Sequence, residues 1–144
     1  MSQHVLIPVD RSPHSEKAFD YVVAELPGSR LLLLHVIDPL SAFRYDSDEY
    51  FDLDGYQQLE RRQRELAEQM FTQYRETAAE HGFEVDTAVK VGKPTNRILE
   101  TAADHGIDHI VMGSHGRSGV KRVLLGSVAE TVTRRSSVPV TIVR

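Results

Sequence analysis

Five short runs rich in valine, isoleucine and leucine, separated by longer stretches of mixed polarity, constrain this chain more than any other feature. They are Val5 to Val9, Arg30 to Ile37, Phe83 to Val91, His109 to Met112 and Val138 to Val143. Most are nearly continuous in apolar character, as strands buried on both faces must be, and the stretches between them are long enough for crossover helices. That rhythm argues for an α/β chain with a five-stranded parallel sheet covered by helices on both faces, in the order βαβαβαβαβ. Phe83 to Val91 differs. Phe83, Val85, Thr87, Val89 and Val91 alternate with Glu84, Asp86, Ala88 and Lys90, which marks this strand as an edge.

The helices carry their own punctuation. Ser12 followed by Pro13 fits an N-cap with proline at the first helical position, opening a helix through about Leu26 that Pro27-Gly28 stops. A long polar helix is expected from Leu53 to Glu80, with Leu59, Leu66, Met70, Tyr74 and Ala78 on its inner stripe and His81-Gly82 as its stop. Pro94 opens a third helix ending near Gly106. Ser127 opens a fourth, and Glu130 three residues on is expected to complete a capping box. Pro39 to Asp54 is the one long irregular stretch and is expected to be a mobile loop. At 144 residues the chain suits one domain spanning 1–144. With right-handed crossovers and the strand order 2-1-3-4-5, a crevice is expected outside the carboxyl ends of the strands where the winding reverses. Val9-Asp10-Arg11-Ser12 would enter it from the first strand and Gly113 onward from the fourth.

Composition removes several classes of function. There is no cysteine, hence no disulfide, thiolate metal site or thiol nucleophile. A formal net charge of −4 argues against a general nucleic-acid binder. The longest apolar run, Leu31 to Leu34 continuing past His35 into Val36 and Ile37, is too short to cross a bilayer, and Met1-Ser2-Gln3-His4 lacks the features of a secretory signal. A cytoplasmic protein is expected. Charge is nevertheless uneven: six acids against one base from Asp38 to Asp54, and five bases against one acid from Gly113 to Arg135.

The basic cluster coincides with glycines. In Gly113-Ser114-His115-Gly116-Arg117-Ser118-Gly119, followed by Lys121, Arg122 and Gly126-Ser127, glycines allow backbone amides to approach an anion, and a helix start adds partial positive charge. On spacing alone this is either a surface turn or a phosphate cradle. Its place between a strand and a helix start favours the cradle, with a nucleotide as ligand. His105 and His109 have the spacing of a helical metal pair, but Gly106 breaks the helix between them. Gly92-Lys93-Pro94-Thr95 echoes a Walker loop without its first glycine, and there is neither a nucleophile elbow nor a dinucleotide fingerprint.

These residues carry a family resemblance. Gly113-x2-Gly116-x9-Gly126-Ser127, Ile7-Pro8-Val9-Asp10-x-Ser12, Leu33-Leu34-His35-Val36-Ile37, Gly92-Lys93-Pro94 and Val138-Pro139-Val140 occur in the order seen in the universal stress protein family, and the chain resembles its ATP-binding branch. The resemblance implies the adenine nucleotide alpha hydrolase-like fold, Rossmann-like and flavodoxin-like. It implies an ATP-binding regulatory or stress-response protein, not a dedicated enzyme, with Mg or Mn on the phosphates. It also implies a homodimer through the last strand, by way of Val138, Pro139, Val140 and Ile142. In this scheme Gly113, Ser114, His115, Gly116 and Arg117 wrap ribose and phosphates, while Gly126, Ser127 and Val128 close on the terminal phosphates. Asp10 accepts from the ribose hydroxyls, and Pro8, Val9 and Val36 line the adenine slot. Met112 and Ser12 border the site, Ser12 serving as cap or ligand and His115 facing phosphate or solvent. Arg11 stands where many members carry glycine. Two other readings stay open: an ATP-using enzyme of the same hydrolase-like group, and an interaction module that binds no nucleotide.

Overall fold

The computed structural model describes residues 2–40, 53–115 and 125–144. Strand β1 (His4–Pro8) leads to helix α1 (Pro13–Glu25), β2 (Arg30–Ile37), α2 (Leu53–Glu80), β3 (Glu84–Val91), α3 (Pro94–Asp104), β4 (His109–Gly113), α4 (Ser127–Arg135) and β5 (Val140–Val143). The five strands form one sheet, and each neighbouring pair runs parallel. Most of the expected loop from Pro39 to Asp54 lies outside the described residues, as do the bases Arg117, Lys121 and Arg122.

The spatial order is β3-β2-β1-β4-β5, which corrects the expected 2-1-3-4-5. Polarity explains the difference. An order with β2 outermost would expose Leu31 to Leu34, all of which are buried, and would bring β3 inside the sheet. On β3, however, Glu84, Asp86 and Lys90 are exposed, a pattern that fits only an edge. Arg30 on β2 meets two of these charges, at 3.9 Å to Glu84 and 3.3 Å to Asp86. The register runs from Arg30 opposite Glu84 to Ile37 opposite Val91.

Alternation along the interior strands divides the core into two layers. Val5, Ile7, Leu31, Leu33 and Val111 face α1 and α2, where they meet Phe19, Val22, Phe71 and Tyr74. Leu6, Leu32, Leu34, Ile110 and Met112 face α3 and α4, where they meet Ile98, Ala102, Ala129 and Val132. Complete burial of a side chain such as Phe19 or Phe71 contributes about 1.5–3 kcal/mol. Helix α2 keeps its expected bounds, and its stripe includes Met70, Tyr74 and Ala78. Ala67 and Phe71 complete that stripe, whereas Leu59 and Leu66 are only partly buried. At 28 residues the helix is about 42 Å long, and its buried residues, from Ala67 to Ala78, all lie in its second half.

At the opposite end of the sheet from the strand termini that carry the glycines, His109 begins β4. Its Nε2 lies 2.7 Å from Thr141 Oγ1 on β5. Burial holds this imidazole below its ordinary pKa. A folded-state value lower than the unfolded one means the unfolded chain takes up the proton first. This contribution to stability is therefore intact above the ordinary imidazole range and is lost as pH falls through it. We expect urea midpoints to drop between about pH 7.5 and about pH 5.5, and the drop to be shallower in His109→Gln. An equal drop in both proteins would exclude the assignment.

Candidate functional site

The winding reverses between β1 and β4, because α1 carries the chain from β1 toward β2 while α4 carries it from β4 toward β5. Ligand sites of open α/β sheets lie outside the carboxyl strand ends at such a point.

On the β1 side the backbone is fixed before any ligand arrives. The Val9 amide donates to Leu34 O at 2.8 Å, and the Val9 carbonyl accepts from His35 Nδ1 at 2.8 Å. Asp10 follows. Its Oδ1 accepts from the Ser12 amide and from the Ser15 hydroxyl, both at 2.8 Å, while the Asp10 amide donates to Ser15 Oγ at 2.8 Å. Two donors beside the N-terminus of α1 hold this carboxylate in one orientation. Ser12 is buried and acts as the N-cap of α1, with Oγ 3.4 Å from the Ser15 amide. Pro8 is partly buried and, lacking an N–H, offers only its carbonyl. Val9 lies in the core layer under α1 and α2, and Val36 packs at the margin of the layer under α3 and α4. Arg11 is exposed at the mouth.

On the β4 side the glycines serve packing. A Cβ on Gly113 would fall 2.7 Å from both Cβ and O of His14, in the first turn of α1. A Cβ on Gly126 would fall 3.0 Å from Ser114 O and 3.4 Å from His115 Cα. Both positions let protein segments approach one another, which is a role the spacing of the glycines alone does not reveal. The Ser114 amide donates to Val143 O at 3.1 Å, and the Gly126 amide returns to Ser114 O at 2.8 Å. This brings the start of α4 back against the end of β4. Met112 and Ser114 are buried, and Gly113 and His115 are partly so. Gly116 and Arg117, two of the expected phosphate-loop residues, lie outside the described residues.

The expected capping box does not form. The N-cap of α4 is Gly126, because the Glu130 amide bonds to the Gly126 carbonyl at 2.9 Å, and Ser127 is thereby the first helical residue. From that position its hydroxyl cannot cap the turn it belongs to. Glu130 instead lies 3.8 Å from Arg134. The first turn of α4 therefore has no side-chain cap, with Ser127 exposed and Val128 partly buried against the core. Uncapped amides on one side of the crevice suit an anion, and an oriented carboxylate on the other suits hydroxyl groups.

Three contributors to this geometry escape a reading of motifs. Ser15 holds Asp10, and the spacing Asp10-x-Ser12-x-x-Ser15 was the available signal. His35, polar within an otherwise apolar strand, ties β2 to Val9. His14 accepts the close approach of Gly113. We expect Gly113→Ala to lower the unfolding free energy by about 1–3 kcal/mol, because the clash is with backbone atoms that cannot step aside. Chemical denaturation would check this, and an unchanged midpoint would contradict it.

Known proteins share this fold. The model of the Universal stress protein family matches residues 1–144. Universal stress protein MJ0577 of Methanocaldococcus jannaschii is 33% identical, the alignment covering 100% of this chain and 96% of the relative. The solved structure of MJ0577 covers 99% of this chain and 96% of its own, with a TM-score of 0.85. Universal stress protein UspA from Lactobacillus plantarum, 25% identical, covers 99% of this chain and 97% of its own with a TM-score of 0.83. A universal stress protein in complex with cAMP, 24% identical and covering 99% and 97%, shares the fold with a TM-score of 0.67. The chain belongs to the universal stress protein family.

Proposed function

We propose that this protein binds ATP in the β1/β4 crevice and acts in the cytoplasm as a nucleotide-dependent regulatory protein of the stress response. The observation that carries the reading is the uncapped start of α4, turned back onto Ser114 by the Gly126 amide. Phosphate oxygens would take the amides of Ser127 and Val128 and the exposed Ser127 hydroxyl. Asp10, already oriented by Ser12 and Ser15, would accept from the ribose hydroxyls. Pro8 and Val36 would flank the adenine. No cluster of three or more metal-ligating side chains occurs among the described residues, so a Mg or Mn ion would rest on the phosphate oxygens and supply only charge neutralisation there.

A binding role is favoured over catalytic turnover. Asp10 Oδ1 is engaged by two donors, which suits a carboxylate that positions a ligand better than one that abstracts a proton from water. The adenine nucleotide is the partner the crevice favours; the net charge of −4 does not favour nucleic acid. No helix among the described residues is long and apolar enough to cross a membrane. A binder at one hundred times its dissociation constant stabilises the native state by about 2.7 kcal/mol. We therefore expect saturating ATP to raise the melting temperature by about 5–10 °C, and Gly126→Val to abolish the shift. No shift, together with no nucleotide retained on purification, would defeat the reading.

The same proposal includes a homodimer through β5. This strand lies at the sheet edge opposite β3, with Val138, Val140 and Ile142 only partly covered and Pro139 exposed. Proline suits an edge because it has no amide to offer a ladder. Light scattering should report about 32 kDa, twice the chain's 16.2 kDa, and Ile142→Glu should shift the protein toward monomer. A purely monomeric wild type at micromolar concentration would refute it.

A further inference from the structure

Two histidine rings meet where the first turn of α1 touches the end of β4. The centroids of His14 and His115 are 5.6 Å apart, with planes inclined at 54°. They come from segments already locked together, since Gly113 lies against the His14 backbone and Gly126 against His115. Each ring also carries a buried nitrogen, His14 Nδ1 and His115 Nε2, with no hydrogen-bond partner among the described residues. Buried polar atoms are normally satisfied, and an orphan costs about 1–3 kcal/mol. Two orphans on adjoining rings call for a shared explanation. A third such atom, His4 Nε2, begins β1 at the far end of the sheet and has no ring contact among the described residues.

We propose that His14 and His115 form a two-histidine site for a borderline divalent transition metal such as Zn2+, bound through His14 Nδ1 and His115 Nε2. Two imidazoles held on one ion at about 2.1 Å through one nitrogen each, at tetrahedral to trigonal angles, have centroids about 5–6 Å apart. The observed separation of 5.6 Å falls within that range. His115 Nδ1 lies 3.1 Å from Ser114 Oγ, so a ring that donates Nδ1–H to this hydroxyl turns the lone pair of Nε2 to the metal. Such a hydrogen bond on the far nitrogen is what orients metal-binding histidines. Nitrogen ligands select zinc, nickel or copper over magnesium, and the other coordination positions take water. The ion would clip the start of α1 to the end of β4.

The test uses the full chain, stripped of metal and nucleotide, titrated with zinc chloride by calorimetry and by 15N NMR of the imidazoles. Two of the seven histidines should respond, with one zinc bound per chain. His14→Gln and His115→Gln should each weaken binding at least tenfold, while His81→Gln and His105→Gln should not. The wild-type NMR names the responding rings even if a variant folds poorly. No binding by the wild type, a response from other histidines, or undiminished binding in folded His14→Gln and His115→Gln would each overturn the proposal. Because nucleotide is absent throughout, the outcome is independent of the ATP reading.

Discussion

The strands β1, β2 and β4 are apolar on both sides, and most other features of the molecule follow from the need to cover both. Right-handed crossovers that step through the sheet in one direction place every helix on one face. From β1 the chain steps outward to β2 and then β3, laying α1 and α2 over Val5, Ile7, Leu31 and Leu33. Leu6, Leu32, Leu34 and Ile110 would then remain bare. The chain covers them only by returning across the sheet, with α3 leading back to β4 and α4 onward to β5. The crevice between the carboxyl ends of β1 and β4 is the geometric by-product of that return.

The two walls of the crevice are built differently. The β1 wall is a closed polar cage, in which Asp10, Ser12 and Ser15 satisfy one another and His35 secures Val9 from the adjacent strand. Each such bond contributes about 0.5–1.5 kcal/mol, and together they fix where the carboxylate points. The β4 wall relies on contact distance. Gly113 admits the backbone of His14, and Gly126 admits Ser114 and His115, so the start of α4 is positioned by what cannot fit between segments. One wall tolerates small changes in side-chain length, while the other tolerates almost no added volume.

Much of this was legible from residue pattern. The α/β alternation, the proline-led starts of α1 and α3, the bounds of α2 and the edge character of β3 are all local signals with one physical meaning. The strand order was not read correctly, although the means were present. An edge strand that alternates Glu84, Asp86 and Lys90 is incompatible with an order that places it inside, and polarity had to prevail. Ser127 misled for a different reason. Serine followed by glutamate three residues on matches a capping box, but the helix begins one residue earlier than that motif requires, with Gly126 as its N-cap, and a one-residue offset is invisible without the backbone. The packing duty of Gly113 depends on His14, almost one hundred positions away, and no window along the chain relates the two.

The two margins of the sheet are unlike. At β3, Arg30 bridges to Glu84 and Asp86, and Arg75 reaches Thr87 Oγ1 at 2.7 Å, so charge and a covering side chain guard that margin. At β5, Val140, Thr141, Ile142 and Val143 carry no charge, and among the described residues the polar side-chain contact there is that of His109 with Thr141. A sheet with one guarded margin and one plain one has a valence of one. In the proposed dimer, union through the plain margin would consume it on both copies, and the margins then presented to solvent would both be of the guarded kind. Growth into a filament needs two compatible faces per subunit, and this asymmetry leaves the molecule with one.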